Sequence, residues 1–361
     1  MSRYEIDPDI HRARTLSGRF YSDDEVHRRL KDSVFTRSWQ WIGVRDAAPK
    51  TGSIYPFTLL EGLLDEPLVL CRDLQGNLRC LSNVCTHRGN ILALVRGEDT
   101  ALRCRYHGRR FTLGGTCEHA PGFDGRPDFP AEQDHLPRLP LGMLGRLLFT
   151  SIAPEIEFAE WTEGLTERIG FIPLESFQLD SGRSRVYDLH ANWALYIDNY
   201  LEGFHIPFVH PSLKQFIHFK EYRTELLPYG NVQIIPAAEG QLAFDLPEGH
   251  PDHGLRVGAY HFWLFPNLIL KFYPWGLSLN VVEPLETQKT RIRVLNYNWQ
   301  PQFLGAGIGG DLHRLEQEDQ EIVAQVQQGT SARLYAGSRY ETRLEKGLHQ
   351  FHRFLTQALL D

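Results

Sequence analysis

Cys85-Thr86-His87 and Cys104-Arg105-Tyr106-His107, with sixteen residues between them, place two thiols and two imidazoles in a pair of short loops. A chain built around that donor set has to fold so that the loops meet. In one kind of [2Fe–2S] cluster two cysteines hold one iron and two histidines the other, which raises the reduction potential above that of an all-cysteine cluster. Tetrahedral zinc is the rival, since it also takes two Cys and two His. The spacing argues against zinc: zinc sites usually pair Cys with Cys and His with His, and here each loop brings one of each. Gly89 and Gly108 close the two loops, and glycine suits a backbone whose N–H groups approach cluster sulfurs. A chance pattern of buried thiols and surface histidines would not require those glycines.

At 361 residues the chain has room for two domains, or for one large domain with an insertion. Hydrophobic residues at 42% and charged residues at 23% are the balance of a globular protein rather than a disordered one. A net charge of −7 speaks against nucleic acid as a partner. No apolar run approaches the roughly 18 residues of a membrane span. The opening segment is polar and lacks the apolar stretch of a signal peptide. A cytoplasmic protein without membrane contact is the expectation. Five cysteines, two of them in the loops, are no disulfide framework. Cys71, Cys80 and Cys117 read as reduced, buried or half-buried thiols.

Residues 23–38 read as an amphipathic helix capped by Asp23 or Asp24, with Val26, Leu30, Val34 and Phe35 at helical spacing. From Trp39 to about Ile152 short β-like runs alternate with turns, and both Cys-His loops fall among them. An acidic amphipathic stretch follows Pro154, then a helix at about 191–206. Residues 226–300 alternate like the strands of a twisted antiparallel sheet. Two helices, 310–328 and 340–360, close the chain. Their apolar stripes are Leu312, Leu315, Ile322, Val323 and Val326, then Leu344, Leu348, Phe351, Phe354 and Leu355. The pattern as a whole is α+β.

A second metal constellation lies at Asp198-Asn199-Tyr200-Leu201-Glu202-Gly203-Phe204-His205-Ile206-Pro207-Phe208-Val209-His210. His205 and His210 can converge where the helix ends, and one added carboxylate would make a 2-His-1-carboxylate site with positions left open on Fe(II). Taken alone, two histidines five apart among sixteen are a weak pattern. Together with the Cys-His loops, the segment resembles the catalytic α subunit of the Rieske non-heme iron oxygenases, which include the ring-hydroxylating dioxygenases and the choline and carnitine monooxygenases. The resemblance covers nearly the whole chain. It implies an N-terminal helical segment, 1–38, packing on the catalytic domain. It implies next a small antiparallel β Rieske domain, 39–153, and a helix-grip catalytic domain, 154–361, with an antiparallel sheet and C-terminal helices.

By that resemblance Cys85, His87, Cys104 and His107 hold the [2Fe–2S] cluster, and His205, His210 and Asp319 hold a mononuclear Fe(II). Asp311, Glu316 and Glu318 are the alternatives to Asp319. Glu202 takes the place of the acidic residue that bridges a cluster histidine to an iron histidine across a subunit interface, in a homotrimer or mixed hexamer. Asp198 stands at a second acidic position; a hydrogen-bonded carboxylate on a helix face is the alternative for it. The implied activity is oxygenation of a small organic substrate with O2, using electrons from a separate NAD(P)H-dependent reductase or ferredoxin. No G-x-G-x-x-G opens a βαβ unit here, which leaves nicotinamide binding to that partner.

Two further features bear on this. Arg109 stands where the family usually has Trp, adding positive charge near the cluster, which favours its reduced form. Tyr260-His261-Phe262-Trp263-Leu264-Phe265-Pro266-Asn267 and Lys271-Phe272-Tyr273-Pro274-Trp275-Gly276, two aromatic-rich segments near the expected pocket, resemble the members that oxidise quaternary amines. A cage of such rings binds trimethylammonium by cation–π attraction worth about 2 kcal/mol. Aromatics alternating along a sheet are more often ordinary core, and ring hydroxylation of an aromatic acid stays open. So does a Rieske electron-transfer protein with a ligand-binding helix-grip domain, although a carrier alone needs only about a hundred residues.

Overall fold

The computed structural model describes residues 4–360; the first three residues of the expected N-terminal segment lie outside the described residues. The chain forms two compact units: Thr36–Glu155, and Met1–Phe35 with Ile156–Asp361.

The unit Thr36–Glu155 consists of three small antiparallel sheets. The first contains β1 (Gln40–Val44), β10 (Leu141–Leu144) and β11 (Leu147–Thr150). The second has the order β5-β2-β3-β4-β9, with β2 Ser53–Leu59, β3 Glu66–Arg72, β4 Leu78–Ser82, β5 Gly97–Glu98 and β9 Arg138–Leu139. The third is β6 (Ala101–Arg103), β7 (Arg110–Thr112) and β8 (Cys117–His119). Strands this short leave most of the chain in loops, so packing has to come from between the sheets. Val69, Cys71 and Leu81 meet Phe111, Leu113 and Leu136 in one buried cluster that also takes in Cys85 and Cys104. All five cysteines are free and buried, and burial pushes the Cys71 and Cys80 thiols up to about 12.

The other unit is built on a seven-stranded antiparallel sheet of order β12-β18-β17-β16-β15-β14-β13. Its strands are β12 Gln178–Leu189, β13 Arg223–Leu227, β14 Gly230–Pro236, β15 Val257–Leu264, β16 Leu268–Tyr273, β17 Gly276–Glu286 and β18 Lys289–Asn298. The helices are α1 Asp24–Leu30, α2 Phe158–Trp161, α3 Leu165–Ile169, α4 Trp193–Leu201, α5 Ile206–Val209, α6 Leu312–Thr330 and α7 Lys346–Ala358. Asp23 caps α1 by accepting from Glu25 N–H. Trp193 on α4 and Trp263 on β15 both pack edge-on against Phe351 of α7, with ring centroids 5.6 and 5.2 Å apart. This aromatic cluster ties two helices to the sheet.

Several boundaries differ from the sequence reading, and each difference has a local cause. The expected helix at 191–206 is shorter: Asn192 caps α4 at its start, and Glu202 is already extended (φ −122°, ψ 133°). Past that point Gly203 lets the backbone run against the Tyr222 ring, where a Cβ would clash. The last helix begins at Lys346, not 340, because Glu341 and Glu345 engage the backbone N–H groups of the preceding turn. In α6 the expected apolar stripe is only partly buried: Val323 is enclosed, while Val326 is 42% exposed. Glu316, Gln327 and Thr330 take up buried positions instead.

Candidate active site

In the unit Thr36–Glu155 the two Cys-His loops occupy equivalent positions after short strands. Cys85-Thr86-His87 follows β4, and Cys104 to His107 joins β6 to β7. Each loop closes by the same bond: Gly89 N–H donates to the Cys85 carbonyl and Gly108 N–H to the Cys104 carbonyl, both at 3.0 Å. Both glycines are left-handed, with φ of 72° and 76°, a conformation that costs other residues energy. Asn83 pins the far side of the first loop, donating to the Ala93 carbonyl at 2.8 Å and accepting from Ala93 N–H at 2.9 Å. The result brings the His87 and His107 rings to 4.8 Å between centroids. Asn90 Nδ2 lies 3.7 Å from Cys104 Sγ. Two buried sulfurs and two adjacent imidazoles on loops that close identically fit the ligand set of a Rieske cluster.

The sheet unit places His205, His210 and Asp319 so that one ligand atom from each lies within 4.8 Å of the others. His205 precedes α5, His210 follows it, and Asp319 sits in the middle of α6. Nε2 of His205 and of His210 lie 3.5 and 3.0 Å from the same oxygen, Asp319 Oδ1. The opposite ring nitrogens face glutamates: His205 Nδ1 is 2.7 Å from Glu202 Oε1, and His210 Nδ1 is 2.8 Å from Glu318 Oε2. Those carboxylates favour the tautomer protonated at Nδ1, which leaves both Nε2 lone pairs aimed at the common centre. Asn199 Nδ2 donates to Asp319 Oδ1 at 2.8 Å. Burial alone would raise the Asp319 carboxyl; when His210 Nε2 carries a proton in place of a metal, its hydrogen bond to Oδ1 and the attraction of the two imidazoles outweigh that and hold the group below its usual range. A carboxylate and two imidazoles, each oriented from behind, fit a 2-His-1-carboxylate iron site.

The three alternatives to Asp319 do other work. Asp311 caps α6, accepting from Arg314 N–H. Glu316 is buried and binds Tyr196 and Asn280; burial raises its carboxyl even with Lys271 opposing. Glu318 orients His210. Asp198 is not in the metal cluster. Its carboxylate accepts from Tyr21 OH at 2.7 Å and meets His352 Nε2 at 3.0 Å, facing a cavity of about 320 Å³ whose wall also includes Asn199, Glu202 and His205.

A cavity of about 70 Å³ opens beside the three converging side chains, walled by Tyr200, Gln233, His261, Lys271, Tyr273 and Glu316 among others. Alternation along the strands decides which aromatics reach it. On β15, His261 faces the cavity, while Tyr260 and Phe262 point to the other face, where Tyr260 OH donates to Asp252 and Phe262 packs on Phe272. Trp263 shares the His261 face but packs against α7. Trp275 stacks behind Tyr273. Of the expected ring segments, His261 and Tyr273 line the cavity, whereas Tyr260, Phe262, Trp263 and Trp275 do not. Lys271, which opens the second expected pocket segment, does line the cavity; Tyr200 was missed as a wall residue because the sequence does not show which side of α4 meets the sheet.

Comparison with known proteins shows which family the chain belongs to. The model of the ring-hydroxylating α subunit (catalytic domain) matches residues 177–360, and that of the Rieske [2Fe–2S] domain matches residues 48–130. The chain is 29% identical to the chloroplastic choline monooxygenase of Arabidopsis thaliana, over 98% of this chain and 86% of that protein. It is 25% identical to the carnitine monooxygenase oxygenase subunit of Escherichia coli (strain K12), over 96% and 94% of the two chains. Among solved structures, a quaternary ammonium Rieske monooxygenase superposes with a TM-score of 0.77 at 21% identity, covering 98% of this chain and 96% of that one. The protein therefore belongs to the Rieske oxygenases, in the family of the ring-hydroxylating α subunits.

Proposed function

We propose that this chain is the oxygenase component of a multicomponent system. It takes electrons from a separate NAD(P)H-dependent reductase or ferredoxin, stores them at Cys85/His87/Cys104/His107, and uses them with O2 at His205/His210/Asp319 to hydroxylate a small organic substrate. The observation that carries this reading is the convergence of two Nε2 atoms on one Asp319 oxygen beside a cavity. When bound, the cluster supplies single electrons and the mononuclear iron supplies open coordination positions for O2 next to the substrate.

The chain's own residues do the positioning. Glu202 and Glu318 hold the protons at Nδ1 of His205 and His210. Asn199 restrains Asp319 by donating to it, so the carboxylate cannot turn away. Leu213, Leu312 and Leu315 wall the cavity with apolar surface and limit water. Glu202 is the residue we assign to electron passage toward His205, from the cluster of a neighbouring chain in a homotrimer.

A small quaternary amine is the substrate class we favour. Three carboxylates (Glu202, Glu316, Asp319) against one ammonium (Lys271) line the cavity, with the Tyr200 and Tyr273 rings beside them. The relatives above are named for choline and carnitine. Lys271 itself favours a second reading, an aromatic acid held by its carboxylate. Oxygen uptake with a reductase and NADH, screened across choline, glycine betaine, carnitine and benzoate-type acids, separates the two. Uptake coupled to none of them would contradict both substrate classes.

A further inference from the structure

We infer that Arg109 raises the reduction potential of the cluster held by Cys85, His87, Cys104 and His107; the inference rests on the cluster reading above. Arg109 lies two residues beyond His107, yet its guanidinium reaches across to the other ligand loop. Its Nη1 donates to Thr86 Oγ1 at 3.0 Å, and Thr86 is the residue between Cys85 and His87. Thr86 in turn donates to the Asp134 carbonyl at 2.8 Å, and Cys104 N–H donates to the Arg109 carbonyl at 2.8 Å. One residue thus fastens both ligand loops.

The charge is buried and only partly balanced. The Arg109 side chain is 3% exposed, and its ion pair among the described residues, to Asp134 Oδ1 at 3.3 Å, is with a carboxylate that is 19% exposed. The Phe123 and Phe129 rings lie 5.2 Å from the guanidinium carbon. Arg109 Nε is buried with no hydrogen-bond partner among the described residues. A buried cation with an unsatisfied donor is costly, and that cost falls when negative charge is added nearby. Reduction of the cluster adds one electron, so the fixed cation stabilises the reduced state more than the oxidised one, in a setting where solvent screens weakly. Asp134, more exposed and of opposite sign, offsets part of the effect.

The test is an EPR-monitored redox titration of the purified holoenzyme, with iron, sulfide and line shape checking that the cluster is intact. Arg109→Met is expected to shift the reduction equilibrium about tenfold toward the oxidised cluster, about 59 mV lower for a one-electron couple. Arg109→Lys, which keeps the charge, should recover most of that shift. Asp134→Asn should move the potential the opposite way, upward, which loosened packing alone would not do. An unchanged potential in Arg109→Met, or a downward or absent shift in Asp134→Asn, overturns the inference. If Arg109→Met fails to assemble a cluster, Arg109→Lys and Asp134→Asn decide it by the same signs. A wild-type chain without a Rieske EPR signal would overturn the cluster reading beneath it instead.

Discussion

Two adjacent carboxylates on α6 divide one task between them: Asp319 faces both Nε2 atoms, and Glu318 holds His210 from behind at Nδ1. Successive helical positions point about 100° apart, so Glu318 and Asp319 cannot both face the centre. Which of them does so depends on where His210 lies, and that position is set by tertiary structure. For this reason the sequence left Asp311, Glu316 and Glu318 as rivals, while the two histidines stood out through their flanking segment and the Cys-His loops upstream, not through their spacing alone. Glu318→Ala is expected to weaken Fe(II) affinity by about 10–100-fold, as loss of a partner behind a ligand does, in a titration of metal-free protein; unchanged affinity would contradict the orienting role. Glu202→Gln should leave cluster and iron content intact, because the amide oxygen still accepts from His205 Nδ1, yet slow electron transfer to the iron by about 10-fold or more. Stopped-flow single turnover measures this, and wild-type rates would remove Glu202 from the electron path.

At the scale of elements, α4 is the part of the site most dependent on its cap. Asn192 is buried; its Oδ1 accepts from Ala194 N–H at 2.9 Å, its Nδ2 donates to the Thr287 carbonyl at 2.7 Å, and its N–H donates to Gln327 of α6 at 2.8 Å. That one residue starts α4 and joins it to the helix bearing Asp319. Asn192→Ala is expected to cost about 2 kcal/mol and to lower the melting temperature by about 4–8 °C, read by calorimetry; a loss under one degree would mean that the cap does not govern α4. Helices and strands were legible from periodicity because apolar positions dominate their buried faces. The stripe of α6 was misread at Val326 for the reason that makes it functional: Glu316 and Gln327, polar and buried, hold Tyr196 and Asn192. A polar residue buried to serve a site looks like solvent-facing sequence. The aromatic strands misled in the complementary way, since both faces of β15 and β16 are buried and alternation alone does not say which face meets the metal ligands.

For the whole molecule, the two candidate metal sites arise in separate compact units, each with its own core. The sequence separated them through the change from short β-like runs to long aromatic strands. The cluster should therefore assemble whether or not the iron site is intact. No helix among the described residues is long and apolar enough to cross a membrane. The decisive experiment is Mössbauer spectroscopy with iron and acid-labile sulfide analysis on the wild-type chain and on His205→Ala. About three irons and two sulfides per chain are expected for the wild type, two irons in the Rieske pair and one high-spin ferrous. In His205→Ala the single ferrous component should disappear while the cluster signal stays unchanged. Two irons per chain in both proteins, with identical spectra, would contradict an oxygenase centre at His205, His210 and Asp319.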